Sequence, residues 1–100
     1  MVVGYFERRS LTEKLTQVNR MHKNGWIHLG GSFDAVRVSK ALSLSTNIVR
    51  DVLDIHELPR AEFSDGVEYI FTRMPFGRTD SGKTVPFLIA ISGGHYITIS

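Results

Sequence analysis

The chain has 100 residues, 42% of them hydrophobic, which suits one domain spanning residues 1–100 with one core. It contains no cysteine, which excludes a disulfide framework, a thiolate metal site and a cysteine nucleophile. No run approaches the roughly 20 apolar residues needed to cross a bilayer, and the N-terminus carries no signal-peptide pattern.

The formal net charge of +2 is weak ground for a nucleic-acid partner, but the charges are unevenly placed. Between Arg8 and Lys40 seven bases (Arg8, Arg9, Lys14, Arg20, Lys23, Arg37, Lys40) face two acids, Glu13 and Asp34. Between residues 51 and 68 six acids (Asp51, Asp54, Glu57, Glu62, Asp65, Glu68) surround a single base, Arg60. Such a layout suits a complementary copy of the same chain or a cation, and equally two solvated faces.

Residues 2–6, Val-Val-Gly-Tyr-Phe, are β-prone and predict a first strand. Ser10 and Glu13 form a capping-box pattern, and Leu11, Leu15, Val18 and Met21 follow at helical spacing up to Asn24-Gly25. These features predict a helix. Trp26 to Leu29 reads as a short strand ended by Gly30-Gly31. From Ser32 a second helix is expected, with Phe33, Val36 and Ala41 or Leu42 on its apolar side. Ser45 is the expected N-cap of a third helix, whose stripe is Ile48, Val49, Val52 and Leu53. Asp51 and Asp54, three apart, then share its other side, and Pro59 closes the region.

The remainder predicts two hairpins. Residues 62–64 and 67–74 flank Asp65-Gly66, and residues 85–92 and 95–100 flank Gly93-Gly94. The expected order is β-α-β-α-α-β-β-β-β, an α+β domain of three-layer α/β/α-like type with a mixed, largely antiparallel sheet. The last strand runs to Ser100 without a polar tail, so a segment of a longer protein is expected.

Residues 77 to 84, Gly-Arg-Thr-Asp-Ser-Gly-Lys-Thr, fit the phosphate-loop pattern at Gly77, Gly82, Lys83 and Thr84. A working loop of that kind runs straight into a helix whose N-terminus faces the phosphate. Here Val-Pro-Phe-Leu-Ile-Ala-Ile follows, a β-prone run that pairs naturally with the last strand. No later strand end offers an acid for magnesium, so the match is read as chance and no nucleotide site is expected.

Other chemistry is thin. None of His22, His28, His56 and His95 has the spacing of a zinc-peptidase helix. Asp54, His56 and Glu57 could contribute to a metal site only with help from elsewhere. Ser32 and Asp34 lack a base that would make an acyl-transfer arrangement, and no catalytic activity is expected. Phe63, Tyr69, Phe71, Phe76 and Phe87 fall on strands or their ends and read as core, with Trp26 at its edge.

From Trp26 onward the features come in an order that resembles the cytosolic N-terminal domain of CorA-like divalent-cation transporters. Trp26-Ile27-His28-Leu29 stands for that family's first strand motif, and Ile48 to Asp54, IVRDVLD, for the end of its helix. Glu57-Leu58-Pro59-Arg60-Ala61-Glu62-Phe63 follows, then Glu68-Tyr69-Ile70-Phe71, Val85-Pro86-Phe87-Leu88 and Tyr96-Ile97-Thr98-Ile99. The likeness covers about three quarters of the chain, and its specificity lies in the order of degenerate pieces.

The resemblance implies a domain on the cytoplasmic face of the cell membrane, below a homopentameric pore. It implies no tightly bound cofactor, but Mg2+ or another divalent cation held between neighbouring domains of the full assembly. Asp51 matches a position of that regulatory site, and Asp54 is its candidate neighbour; carboxylate oxygens suit such hard cations. The partners it implies are further copies of the chain, a long C-terminal helix and membrane helices, with no nucleic acid. Arg50 stands where many members carry an acid, His28 where they carry Asp or Asn, and Leu58 where they often carry Arg. The partner acids and the Gly-Met-Asn pore signature of the family are not in this sequence. The competing reading is a stand-alone binding module for a protein or nucleic acid, using the basic stretch Arg8 to Lys40.

Overall fold

The computed structural model describes residues 2–7, 16–18, 25–75 and 82–100. Strand β1 (Val2–Glu7) pairs antiparallel with β2 (Thr16–Val18) on one side and with β3 (Trp26–Gly30) on the other. Helices α1 (Ala35–Leu42) and α2 (Thr46–Asp51) follow, then β4 (Arg60–Ser64), β5 (Val67–Pro75), β6 (Thr84–Ser92) and β7 (His95–Ile99). The described strands form a seven-stranded sheet in the order β2-β1-β3-β7-β6-β5-β4. Among the described strands only β3 and β7 are parallel; the crossover between them carries both helices and the β4-β5-β6 meander. The α+β class and the mixed, largely antiparallel sheet are as the sequence predicts.

Both helices pack on one sheet face. Strand alternation sends Ile27, Leu29, Ile97, Ile99, Leu88, Ala90, Val67, Tyr69 and Phe71 to that face, where they are buried. Ala35, Val38, Leu44, Ile48, Val49 and Val52 meet them from the helices and complete one core. The opposite face carries half-buried Trp26, Ile70, Phe87, Ile89 and Ile91, and no described helix lies on it. Two of the three expected layers are thus present among the described residues.

The turns follow their chemistry. Asp65 and Gly66 have φ of 50° and 79°, and Gly93 and Gly94 of 54° and 84°, the paired left-handed conformations of tight hairpin turns.

Four details correct the sequence reading. The helix expected after Ser10 is not the conformation of Thr16–Val18, which pair with β1 in the register Tyr5↔Val18, Phe6↔Gln17 and Glu7↔Thr16. The rest of that predicted helix lies outside the described residues. The β-branched Thr16 and Val18 suit a strand, and sheet pairing with β1 outweighs a local helical period. α1 starts later than expected, because Asp34 rather than Ser32 caps it: the Asp34 carboxylate accepts from the amides of Val36 and Arg37. Its inner face is therefore Ala35, Val38 and Ser39, and Val36 points outward. α2 ends at Asp51, so Leu53 falls outside the expected stripe and is 53% exposed. Phe63, expected in the core, is 75% exposed because it alternates onto the open face of edge strand β4.

Candidate functional site

The acidic end of α2 is held firmly in place. Ser45 caps the helix by accepting from the Ile48 amide, and its own amide donates to the Tyr69 hydroxyl at 2.8 Å. Tyr69 is almost wholly buried in β5, so this bond ties the start of α2 to the sheet. Ile48, Val49 and Val52 anchor the other side of the helix in the core. Asp51 is thereby placed as the last helical residue, at the edge where β4 begins.

Arg60, the first residue of β4, reaches back across this edge. Its register partner on β5 is Phe71, and its guanidinium lies over the Phe71 ring at 4.5 Å from the centroid. From there it meets three carboxylates. Nη2 donates to Asp51 Oδ2 at 2.8 Å, Nη1 donates to Glu57 Oε1, and Nε faces Glu62 Oε2 at 3.6 Å. The side chains of Asp51 and Glu62 are 41% and 45% exposed, whereas that of Glu57 is only 13% exposed. The hydrogen bond that Arg60 donates to Asp51 is the chief cause that holds the Arg60 pKa above its already high ordinary value, with burial opposing and the charges of Glu57, Asp51 and Glu62 adding to the rise. Arg60 is a permanent cation among acids.

Asp54 lies beyond the helix in a run of tight turns, in which Asp54 N donates to the Asp51 carbonyl and Glu57 N to the Asp54 carbonyl. One Asp54 carboxylate oxygen accepts from the His56 amide at 2.9 Å, an Asx turn that fixes the loop. The predicted helical neighbours are therefore separated by the helix end. Asp54, His56 and Glu57 do not converge either, since Glu57 turns to Arg60. Among the described residues, no group of three or more His, Cys, Asp or Glu is arranged to hold a metal ion.

A second arginine, Arg73 of β5, braces the same loop from the other side. Nη1 donates to the Glu57 carbonyl at 3.0 Å, Nε to Thr84 Oγ1 at 2.7 Å, and Nη2 to the Thr84 carbonyl at 2.9 Å. Thr84, the fourth position of the phosphate-loop pattern, is exposed, and its hydroxyl is engaged by Arg73. It opens β6, so the segment after Lys83 is strand rather than helix. Gly82 and Lys83 are exposed just before it, and Gly77 lies outside the described residues.

His28 has a structural partner. Its Nδ1 is 2.8 Å from Thr98 Oγ1, the same hydroxyl that accepts from Trp26 Nε1 at 2.8 Å across the β3–β7 pair. Arg50 is exposed.

Sequence reading missed the two arginines as organisers. The signal for Arg60 was present, because it is the lone base in an acidic stretch; for Arg73 nothing local marked it.

With this geometry in view, comparison with solved structures gives a fold. The chain is similar to the complete CorA magnesium transporter of Methanocaldococcus jannaschii, with a TM-score of 0.72 and 19% identity, over 99% of this chain and 32% of that one. It is similar also to the soluble domain of CorA from the same organism, with a TM-score of 0.71 and 20% identity, over 98% of this chain and 40% of that one. The chain therefore spans less than half the length of either. No family model matches the sequence, and no curated protein sequence matches it. The fold is that of the CorA soluble domain.

Proposed function

We propose that this chain is a cytosolic domain of a CorA-like divalent-cation transporter, serving as scaffold beneath a membrane pore rather than as an enzyme. The observation that carries the reading is the topology: one parallel β3–β7 contact inside an otherwise antiparallel sheet, with α1 and α2 on one face, similar to the CorA soluble domain along almost the whole chain. The ordered motifs from Trp26 to Ile99 support it independently. No helix of the described residues is long and apolar enough to cross a membrane, so the pore belongs to other segments of such a transporter.

The finer part of the proposal concerns assembly. The parent works as a homo-oligomer, a pentamer in the resembled family, at the cytoplasmic face of the cell membrane. A divalent ion such as Mg2+ between copies would use Asp51. The residues described do not form a ready site for it, because Oδ2 of Asp51 is taken by Arg60 and Asp54 is turned into its own loop. No step of transport or gating is therefore assigned to that ion.

The decisive experiment follows the reading frame that carries this chain. The complete product is expected to restore growth at low magnesium in cells lacking their own uptake systems, and to lose that ability when residues 1–100 are deleted. A frame without apolar spans downstream of this domain would refute the proposal.

A further inference from the structure

We infer that the acidic tip of the β4–β5 hairpin docks into the groove between α1 and β1 of a second copy of this chain, a head-to-tail contact between opposite edges of the sheet. The contact is a property of these residues; only its place in a ring of copies rests on the transporter reading.

The groove follows from the number of helices. Two helices packed about 8–10 Å apart cover roughly four strands spaced about 4.8 Å, and α2 is tied through Ser45 to Tyr69 of β5. The β1 end of that sheet face is therefore left open. There Val3, Tyr5, Leu29, Phe33, Val38 and Leu42 line a groove of about 460 Å³ beside α1. Two charged residues, Asp34 and Arg37, line it as well, and they are not equivalent. The Asp34 carboxylate is engaged as the helix cap. The Arg37 side chain is exposed and has no partner among the described residues, and exposed Lys40 follows one turn on. The groove is thus apolar inside and positive at its rim.

The hairpin tip is its complement. Residues 62–68 carry Glu62, Asp65 and Glu68 and no base. Phe63 stands among them, 75% exposed, with Glu68 as its register partner on β5. An aromatic ring suits an apolar groove, and the acids beside it suit Arg37 and Lys40. A single chain cannot make this contact. β1 and β4 are five places apart in the sheet, about 24 Å, and Phe63 projects from the face opposite the helices. A second copy can. Because the two surfaces differ, the contact is heterologous and repeats from copy to copy, closing into a ring where the rotation allows. The proposed assembly needs that kind of symmetry. A hairpin tip buries less than a standard interface, so the chain alone associates weakly, at about 0.1–1 mM, and tethering beneath a shared pore raises the local concentration.

Sedimentation equilibrium of the intact chain provides the test. The average mass of the wild type is expected to climb past that of a dimer as its concentration rises to about 2 mM. Phe63→Asp removes the hairpin surface, and Ala41→Glu places a charge in the groove that Ala41 helps to line. Both positions are exposed, so the fold should survive, and each variant alone should stay monomeric. Mixed together they should form one-to-one dimers and nothing larger, because each keeps the surface that the other lacks. Arg37→Glu should weaken wild-type association by about tenfold or more through like charges, and it replaces Ala41→Glu should that variant misfold. A wild type that stays monomeric, a folded variant that associates like the wild type, or a mixture that stays monomeric would each overturn the inference. Those results would leave the transporter proposal standing, and a reading frame without apolar spans would leave the association unaffected.

Discussion

Two corners of the molecule carry residues that sequence patterns associate with inorganic ligands, and in both an arginine already holds the relevant oxygens. At the end of α2, Asp51 is engaged by Arg60; at the start of β6, Thr84 is engaged by Arg73. The two differ in kind. Arg60 meets charged carboxylates, Glu57 little exposed but Asp51 and Glu62 half-exposed, so its bonds to the latter two are salt-sensitive and exchangeable. Arg73 meets a hydroxyl and two backbone carbonyls, neutral acceptors fixed by the sheet and the loop turns. The first corner is therefore held by screened charge pairs, and the second by neutral acceptors of the framework.

The largest expected effect tests the support beneath the first corner. Val49 is fully buried in α2, and Val49→Ala should cost about 2 kcal/mol or more through lost burial and a residual cavity. Amide exchange should then quicken around Asp51 while β6 keeps its protection. Equal loosening of both corners would show that they are not independently mounted.

Arg73→Ala should come next, at about 2 kcal/mol by chemical denaturation, because three acceptors lose a charged donor. Its effect should persist in 1 M salt. Arg60→Ala should cost less, about 1 kcal/mol, and the loss should shrink as salt rises, since exposed ion pairs are weak and screened. If the two arginines showed the same salt dependence, the distinction between them would collapse. Smallest is Glu62→Gln, whose 3.6 Å contact should be worth only a few tenths of a kcal/mol in a denaturation midpoint.

Thr84→Val addresses the phosphate-loop pattern directly. It removes the hydroxyl acceptor of Arg73 and should lower stability by about 1 kcal/mol with or without MgATP. Stabilisation of the wild-type chain by MgATP that disappears in this variant would mean that Thr84 serves a nucleotide as well.

Much of this architecture was legible in order. The hairpin turns at Asp65-Gly66 and Gly93-Gly94 follow from backbone chemistry confined to two residues, and the Ser45 cap from a single hydroxyl. The candidate site was only half legible. Asp51 could be singled out by its place in a motif, but its distance from Asp54 depended on where α2 stops, and helix ends are set by tertiary packing.

By itself the sequence determined the elements whose cause is local: the turns, the α2 cap, the alternation that fills the helix-covered sheet face, and the charge asymmetry. Tertiary structure alone decided the rest. Thr16–Val18 became a strand because β1 offered a pairing edge, whatever the local helical period. Phe63 is exposed because β4 lies at the edge of the sheet. Arg60 reaches Asp51, nine residues away, because the loop after α2 folds the start of β4 back to the helix end, and Arg73 reaches Thr84, eleven away, because β5 and β6 pair in register. Spacing along a chain shows which oxygens are available; only the fold decides which donor reaches them.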